Sequence, residues 1–284
     1  MGKSDREDQR VKNVSVVVPW GKRSGNVLRC VESAQAQTLR PLEILVLANG
    51  SVTPGLQQEI EAQLSGEFIR FYHLRGCTNA NVARNQGAAL ARGDWVAYLD
   101  SDDWWEPDHL AESLASLQAA SADFSYAGMI ERRIDGSRLE RRAGDFREYG
   151  GMVAYLLQHQ AAQTSSYVLR RTCVLAEPWD SGLRRHQDYD FIIRQAERYR
   201  GVFVPRTTVN VDWSTPTKHK FHSDCFDLTA RLLHGHADQA LIDRHYRLLL
   251  KSALKCRDFA WLRYLRQILP ALVRARVRSG RERS

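Results

Sequence analysis

Residues Gly93 to Trp105 read Gly-Asp-Trp-Val-Ala-Tyr-Leu-Asp-Ser-Asp-Asp-Trp-Trp, and no other stretch constrains the chain as much. Trp95 to Leu99 is a short apolar run rich in aromatic and β-branched residues, the pattern of a buried strand. It stops abruptly at Asp100, Ser101, Asp102 and Asp103. Three carboxylates within four residues, at the carboxyl end of a core strand, repel one another and lose solvation. That arrangement is costly unless a cation neutralises it. In open α/β sheets, ligands bind outside the carboxyl ends of the strands, so the position suits a site. The plainer alternative is a polar turn, since Asp and Ser are common turn residues. The apolar run before the acids and the tryptophan pair after them favour the site.

Around this stretch the chain alternates strand and helix patterns. Val14 to Pro19 is a first strand, stopped by Pro19, and Ser24 is placed to cap a helix with Val27, Leu28, Val31 and Ala34 on one face. Glu43 to Ala48 is a second strand, closed by the turn Asn49-Gly50-Ser51. A polar helix over Leu56 to Leu64, a strand over Phe68 to Leu74 and a small-residue helix over Asn81 to Ala91 follow. The order β-α-β-α-β-α-β with short connections implies a largely parallel sheet with right-handed crossovers. Beyond Asp103 the pattern predicts a helix from Pro107 to about Ala119 and a strand over Phe124 to Ile130 that turns at Asp135-Gly136 into Arg138–Arg142. Next come a helix over Gly150 to Gln158, a strand over Ser165 to Arg170 and a helix over Gln187 to Tyr199. Two short strands, Val202 to Pro205 and Thr207 to Val211, complete this part.

The chain has 284 residues, enough for one large α/β domain with an appendage. Met1 to Arg10 is polar and charged and carries neither the apolar core of a signal peptide nor a myristoylation pattern. No apolar run reaches bilayer-spanning length. Five scattered cysteines, Cys30, Cys77, Cys173, Cys225 and Cys256, form no CxxC pair and read as reduced thiols. The expected location is the cytoplasm. The net charge of +8 is concentrated at the end, where His245 onward holds eleven Lys or Arg against two acids. Such an end points to anionic partners or to a solvated tail.

Five segments then stand in order: Val-Val-Val-Pro, Leu-Ala-Asn-Gly-Ser, Asn-Val-Ala-Arg-Asn-Gln-Gly, Leu-Asp-Ser-Asp-Asp and Gln-Asp-Tyr-Asp-Phe. Each alone is weak, but in this order and spacing they make Val14 to Trp213 resemble the family 2 glycosyltransferases of the GT-A fold. The resemblance implies an α/β, Rossmann-like, mostly parallel sheet flanked by helices. It places a GT-A domain over residues 1–223, residues 1–12 being a polar tail, and a basic amphipathic helical region over 224–284. It also implies transfer of a sugar from a nucleotide diphosphate sugar to an acceptor hydroxyl with inversion, in polysaccharide or glycoconjugate synthesis of the bacterial type.

By that resemblance a divalent cation, Mn²⁺ or Mg²⁺, serves as Lewis acid toward the leaving diphosphate. Asp102 would ligate it, Asp100 would stand near the ribose and the metal, and Asp103 would support them. Asp212, His219 and His222 are candidates for a third ligand or a lid contact, and Lys218 and Lys220 for a loop that closes on the diphosphate. Arg84 would reach the nucleotide or diphosphate with its planar fork. Pro19, Trp20, Asn49 and Ser101 join the donor-binding set. Asp188, at a helix start, matches the catalytic base.

The sequence departs from the family pattern at three points. Gln187 replaces the usual Glu before Asp188. Ala48-Asn49 replaces the Asp that contacts a uracil base. Trp20-Gly21-Lys22 follows Pro19 where the family has x-Tyr-Asn, and Trp20 can either stack on a base or pack the sheet edge. The partners implied are the donor and a glycan or lipid-linked glycan acceptor. The C-terminal stretch, with Leu248, Leu249, Leu250, Ala253, Leu254, Trp261, Leu262, Leu265, Ile268 and Leu269 among Arg and Lys, suits packing on its own domain, on a second copy, or peripherally on a membrane. No nucleic-acid motif is present. Two other classes compete. One is a non-catalytic nucleotide-sugar or glycan-binding module, motivated by Ala48 and Gln187. The other is a sugar-phosphate nucleotidyltransferase, whose loop Gly21-Lys22-Arg23-Ser24-Gly25 only faintly resembles.

Overall fold

The computed structural model describes residues 13–21, 26–64, 66–77, 79–159, 162–214, 225, 226, 229, 238–257, 259–266 and 268–270. Contacts divide the chain into two compact units. The first comprises Met1–Asp145, Ala161–Ser181 and Arg194–Pro216, and the second Phe146–Gln160, Gly182–Ile193 and Thr217–Ser284. The second unit thus draws in two segments from before residue 223 as well as those after it.

The first unit is built on one mixed sheet. Strands β1 (Val14–Trp20), β2 (Glu43–Asn49), β3 (Ile69–Leu74) and β4 (Trp95–Tyr98) alternate with helices α1 (Val27–Gln35), α2 (Pro54–Gln63) and α3 (Ala80–Leu90). Every residue of β1 is buried, as a β-branched run covered on both faces requires. It pairs in parallel with β2, Val17 beside Leu45, and with β4, Val17 beside Tyr98. The later strands are β5 (Trp104–Trp105), β6 (Phe124–Arg133), β7 (Arg138–Arg141), β8 (Val168–Arg170) and β9 (Gly201–Trp213), with helices α4 (His109–Ala120) and α6 (Arg171–Ala176) and, in the second unit, α5 (Met152–His159). The order is β3-β2-β1-β4-β8-β6-β9-β5, with β7 paired to β6.

The parallel character expected from the alternation holds across β3-β2-β1-β4. It gives way where β8 joins β4 and β6 antiparallel. The two short strands expected at Val202 and Thr207 are one strand, β9. Its register against β6 jumps from Ala127–Val204 to Gly128–Thr207, so Pro205 and Arg206 form a bulge. A proline that cannot donate to the ladder belongs at such a place. The strand expected from Ser165 starts only at Val168, because Thr164–Ser166 makes a 3₁₀ turn. The helix α1 buries Val27, Val31 and Ala34 as expected from its spacing, but Cys30 takes the buried place expected for Leu28, which is only partly buried. The Ser24 cap lies outside the described residues.

Two glycines set how closely the layers approach. A Cβ at Gly87 of α3 would sit 2.4 Å from a Val17 methyl, so the helix lies directly on β1. A Cβ at Gly93 would stand 2.5 Å from the Asn13 carbonyl oxygen. The same corner holds a buried ionic network. Glu43 accepts from the Ser15 hydroxyl (2.8 Å), the Arg92 amide (2.7 Å) and Arg92 Nε (2.9 Å), while Gly93 N–H donates to Ser15 Oγ (2.9 Å). The network ties β1 and β2 to the turn that feeds β4.

The second unit contains α5, the first part of α7 (Gln187–Arg198) and α8 (Gln239–Lys255). Its core gathers Phe226, Tyr246, Leu249 and Ile268, with Tyr264 packed against it. No helix among the described residues is long and apolar enough to cross a membrane.

Burial alone would raise the Glu43 carboxyl, but the Arg92 amide, the Ser15 hydroxyl and the Arg92 guanidinium more than offset this and hold it below the ordinary range. A depressed carboxylate contributes stability above its unfolded pKa and loses it as pH falls through the folded value. Glu43→Gln is therefore expected to cost about 2 kcal/mol at neutral pH, read from urea unfolding. The gap to the parent protein should narrow once the pH drops below the carboxylate range.

Candidate active site

The site is assembled at the carboxyl end of β4. The strand carries its buried run through Leu99, whose amide donates to the Val17 carbonyl (3.1 Å), and so lifts Asp100 out of the sheet at a fixed height. The Asp103 amide donates to the Asp100 carbonyl (2.9 Å), closing a tight turn. Ser165 locks that turn from across the sheet. Its hydroxyl accepts from the Asp100 amide (3.1 Å) and donates to Asp103 Oδ2 (2.5 Å). The Asp212 amide, at the end of β9, donates to Asp103 Oδ1 (3.1 Å). Asp103 thus turns inward, with both oxygens engaged and 6% of its surface exposed.

Asp100 is held from the other side. Arg84, 2% exposed on α3, donates through Nη1 to Asn81 Oδ1 (2.8 Å) and through Nη2 to Asp100 Oδ1 (2.6 Å). Its guanidinium lies 4.5 Å from the centre of the Trp179 ring, and Trp179 meets Tyr98 edge to face. Both terminal nitrogens of Arg84 are committed inside the protein, so its visible work is to neutralise and aim Asp100. Ser101 is buried within the turn.

The electrostatics follow from this crowding. Burial, then the charges of Asp102 and Asp100, push Asp103 well up, while Ser165 and the Asp212 amide oppose the rise. Asp102 reaches solvent, yet protein packed around it, then the neighbouring Asp100 and Asp212, raise it to about 6 against the help of its own amide and Arg84. Asp212 behaves oppositely. Burial would raise it, but the Ser214 hydroxyl and amide and the Arg29 guanidinium hold it below the ordinary range. Arg29 Nη2 lies 3.0 Å from Asp212 Oδ2, the Asn26 amide group donates to the same oxygen (3.1 Å), and the Arg29 guanidinium carbon lies over the Trp104 ring, 3.5 Å from its centre. Beneath the turn, the buried Cys30 thiol is directed at the Asp100 carbonyl (3.6 Å), and burial and the three aspartates push it well up.

Among the described residues, no three His, Cys, Asp or Glu side chains converge into a ready cation cage. The accessible carboxylates of the turn are the exposed Asp102 and the half-buried Asp100, whose Oδ1 Arg84 takes, so they offer oxygen alone. Such a set suits a hard cation that keeps water or phosphate on its remaining positions.

The ends of β1 and β2 lie side by side, Pro19 in register with Leu47 and Trp20 with Ala48. Trp20 is 2% exposed and belongs to the core, so of its two expected roles the structure shows packing. Asn49 Oδ1 accepts from the Ser51 amide (2.9 Å) and hydroxyl (2.6 Å), which turns the chain after β2. Its Nδ2 faces Gly21 closely enough that a Cβ there would lie 3.0 Å away. His219, His222, Lys218 and Lys220 lie outside the described residues.

Asp188 belongs to the second unit, in the first turn of α7. The helix starts from His186, held at φ 51°, whose carbonyl accepts from the Asp190 amide (3.0 Å). His186 packs against Tyr189 (5.0 Å between rings) and His245 of α8 (5.9 Å). Burial, then His245 and Arg185, lower His186 to about 3, so it stays a neutral packing group at physiological pH.

Ser165, Arg29, Asn81 and Trp179 carry the site's framework, and sequence reasoning did not single them out. Ser165 stands 62 positions from Asp103, and no local pattern links the two.

The sequence model described as Glycosyl transferase family 2 matches residues 15–174. The amylovoran biosynthesis glycosyltransferase AmsB of Erwinia amylovora is 28% identical over 191 residues, 63% of this chain and 62% of that protein. The succinoglycan biosynthesis protein ExoO of Rhizobium meliloti is 31% identical over 132 residues, 46% of this chain and 37% of that one. The chain therefore spans less than two thirds of the length of these relatives. In fold it is similar to the S. aureus TarS fragment 1–349, with a TM-score of 0.60 at 15% identity over 89% of this chain and 74% of that one. The same fragment solved with UDP-GlcNAc gives a TM-score of 0.62 at 14% identity, over 89% of this chain and 75% of that one. A GT-A-like α/β fold, the carboxylate turn ending β4 and the match over residues 15–174 agree, and the chain belongs to glycosyl transferase family 2.

Proposed function

We propose that the chain transfers a sugar from a nucleotide diphosphate sugar to a hydroxyl of a glycan acceptor, with inversion, in bacterial polysaccharide biosynthesis. The observation that carries this reading is the Asp100–Asp103 turn, clamped by Ser165 and Arg84 with Asp103 buried, Asp100 half-buried and Asp102 exposed. The names of AmsB and ExoO, for amylovoran and succinoglycan biosynthesis, support the pathway class, and UDP-GlcNAc on the structurally similar TarS fragment supports the donor class.

In this reading Asp102 and Asp100 hold Mn²⁺ or Mg²⁺, and Asp103 braces the turn rather than sharing the ion. The ion, when bound, neutralises the charge that grows on the departing diphosphate. Arg84 pairs with Asp100 and aims it. Ser101 and the neighbouring ends of β1 and β2, at Pro19 and Asn49, form the donor side, with Trp20 packed in the core. Asp188, in the first turn of α7, takes the proton of the attacking hydroxyl. His219 stays a candidate third ligand. The enzyme works in the cytoplasm, on a glycan or a lipid-linked glycan, and its C-terminal region meets either a membrane surface or a second copy.

With purified protein, Mn²⁺ and a panel of nucleotide sugars, metal-dependent nucleotide release from one donor is expected. Asp102→Asn should lower that turnover by about a hundredfold or more. Arg84→Gln should weaken the ion by about ten- to a hundredfold, because a group that orients a ligand has been lost. Full turnover in Asp102→Asn would remove the turn from the mechanism.

Asp188→Asn should leave donor and ion binding intact while sugar transfer to the acceptor falls by about 10²–10⁴. Calorimetry reads the first and product formation the second. Donor binding with no turnover in the parent protein, unchanged by Asp188→Asn, would instead assign a nucleotide-sugar-binding module, the reading that Ala48 and Gln187 favour.

A further inference from the structure

We infer that the outer side of the C-terminal part of the second unit docks on an anionic lipid surface. This deepens the proposed function by choosing between the two partners of that region. The inner side of α8 is already occupied. Tyr246, Leu249 and Ala253 are buried, and Phe226 stacks between Tyr246 (6.3 Å) and Tyr264 (5.0 Å). Asp243 is buried with them and accepts from Gln239 Nε2 (3.0 Å). The packing needs of this helix are therefore met without its outer side.

That outer side has an unusual composition for water. Arg244, Arg247, Lys251 and Lys255 fall three or four residues apart, which aligns them in one stripe, and all are exposed. Arg257, Arg263 and Arg266 extend the charge beyond the helix, and among the described residues from 239 to 270 every exposed charged side chain is cationic. Like charges at this spacing destabilise an isolated helix. Between and beyond them stand Leu248, Leu254, Phe259, Leu262 and Leu269, each 49–63% exposed. Among the described residues this region thus carries two liabilities, unneutralised positive charge and bare apolar side chains.

An anionic bilayer relieves both. Headgroup phosphates meet the Arg and Lys ends while leucine and phenylalanine enter the acyl boundary, the arrangement of an interfacial amphipathic helix. The other occupants relieve only one. In a two-fold dimer the same patch faces itself, so seven cations would meet seven. A nucleic acid would take the charges and leave the leucines in water.

The test is flotation of the full chain with vesicles of phosphatidylglycerol mixed with phosphatidylcholine, and with vesicles of phosphatidylcholine alone. The protein is expected to float with the first and far less with the second, and raised salt should release it. Each cation near such a surface contributes about fivefold to binding, so Arg247→Gln with Lys251→Gln should weaken it by about 25-fold. Leu248→Ser with Leu262→Ser should weaken it by at least about tenfold. Donor turnover in solution should stay at the parent level in both double variants, which also reports that they fold. Equal flotation with both vesicle types, flotation with neither, or indifference to the leucine change overturns the inference. A stable dimer by light scattering that the leucine variant dissociates would give the surface to a second copy. Vesicle binding in a protein that turns over no donor would leave this surface standing while the transfer reading failed.

Discussion

Three carboxylates packed into four residues at the end of a buried strand repel one another, and the rest of the first unit is arranged around that repulsion. The protein does not disperse them. It spends a buried arginine on Asp100 and a serine hydroxyl with a backbone amide on Asp103, and leaves Asp102 with a carboxyl raised to about 6. The strain left over is concentrated at the mouth, on the group that a cation would relieve. A solvated turn would need none of these partners, which is why the buried clamps, more than the acids themselves, argue for a site.

The sheet supplies the clamps from distant parts of the chain. Arg84 rides on α3, and α3 reaches its position because Gly87 lets the helix lie against Val17 of β1. Ser165 comes from the 3₁₀ turn before β8, the strand at which the sheet changes from parallel to antiparallel. Asp212 comes from the far end of β9, after the bulge at Pro205. The Glu43 network fixes the turn entering β4 and so sets the height at which Asp100 emerges.

The part of the fold that depends on local pattern was legible in the sequence. β1, β2 and β4 are apolar runs and α1 shows most of its buried face at helical spacing, so their existence followed from periodicity. α3 was readable only as a small-residue helix: its buried face includes Asn81, Arg84 and Gly87, and Leu90 is exposed. β5 was not legible, because two tryptophans have no period and pair with Asn210 and Val209 from the end of the sheet. The position of the acids was readable for the same local reason. Their division of labour was not, since spacing alone cannot tell that Asp103 faces inward and Asp102 outward. Trp20 shows the same limit: a tryptophan at a strand end reads equally as a base platform or as core, and only its neighbours decide. The second unit is built from three separated segments, and no composition shift marks the first two.

The central claim is that the carboxylate turn holds the diphosphate of a nucleotide sugar through a divalent cation. The most direct measurement is anomalous diffraction from crystals grown with Mn²⁺ and a nucleotide diphosphate sugar. A manganese peak within metal–oxygen bonding distance of Asp102, about 2.1 Å, is expected in crystals that also hold the donor. A donor bound in the first unit with manganese elsewhere, or with none at Asp102, would contradict it.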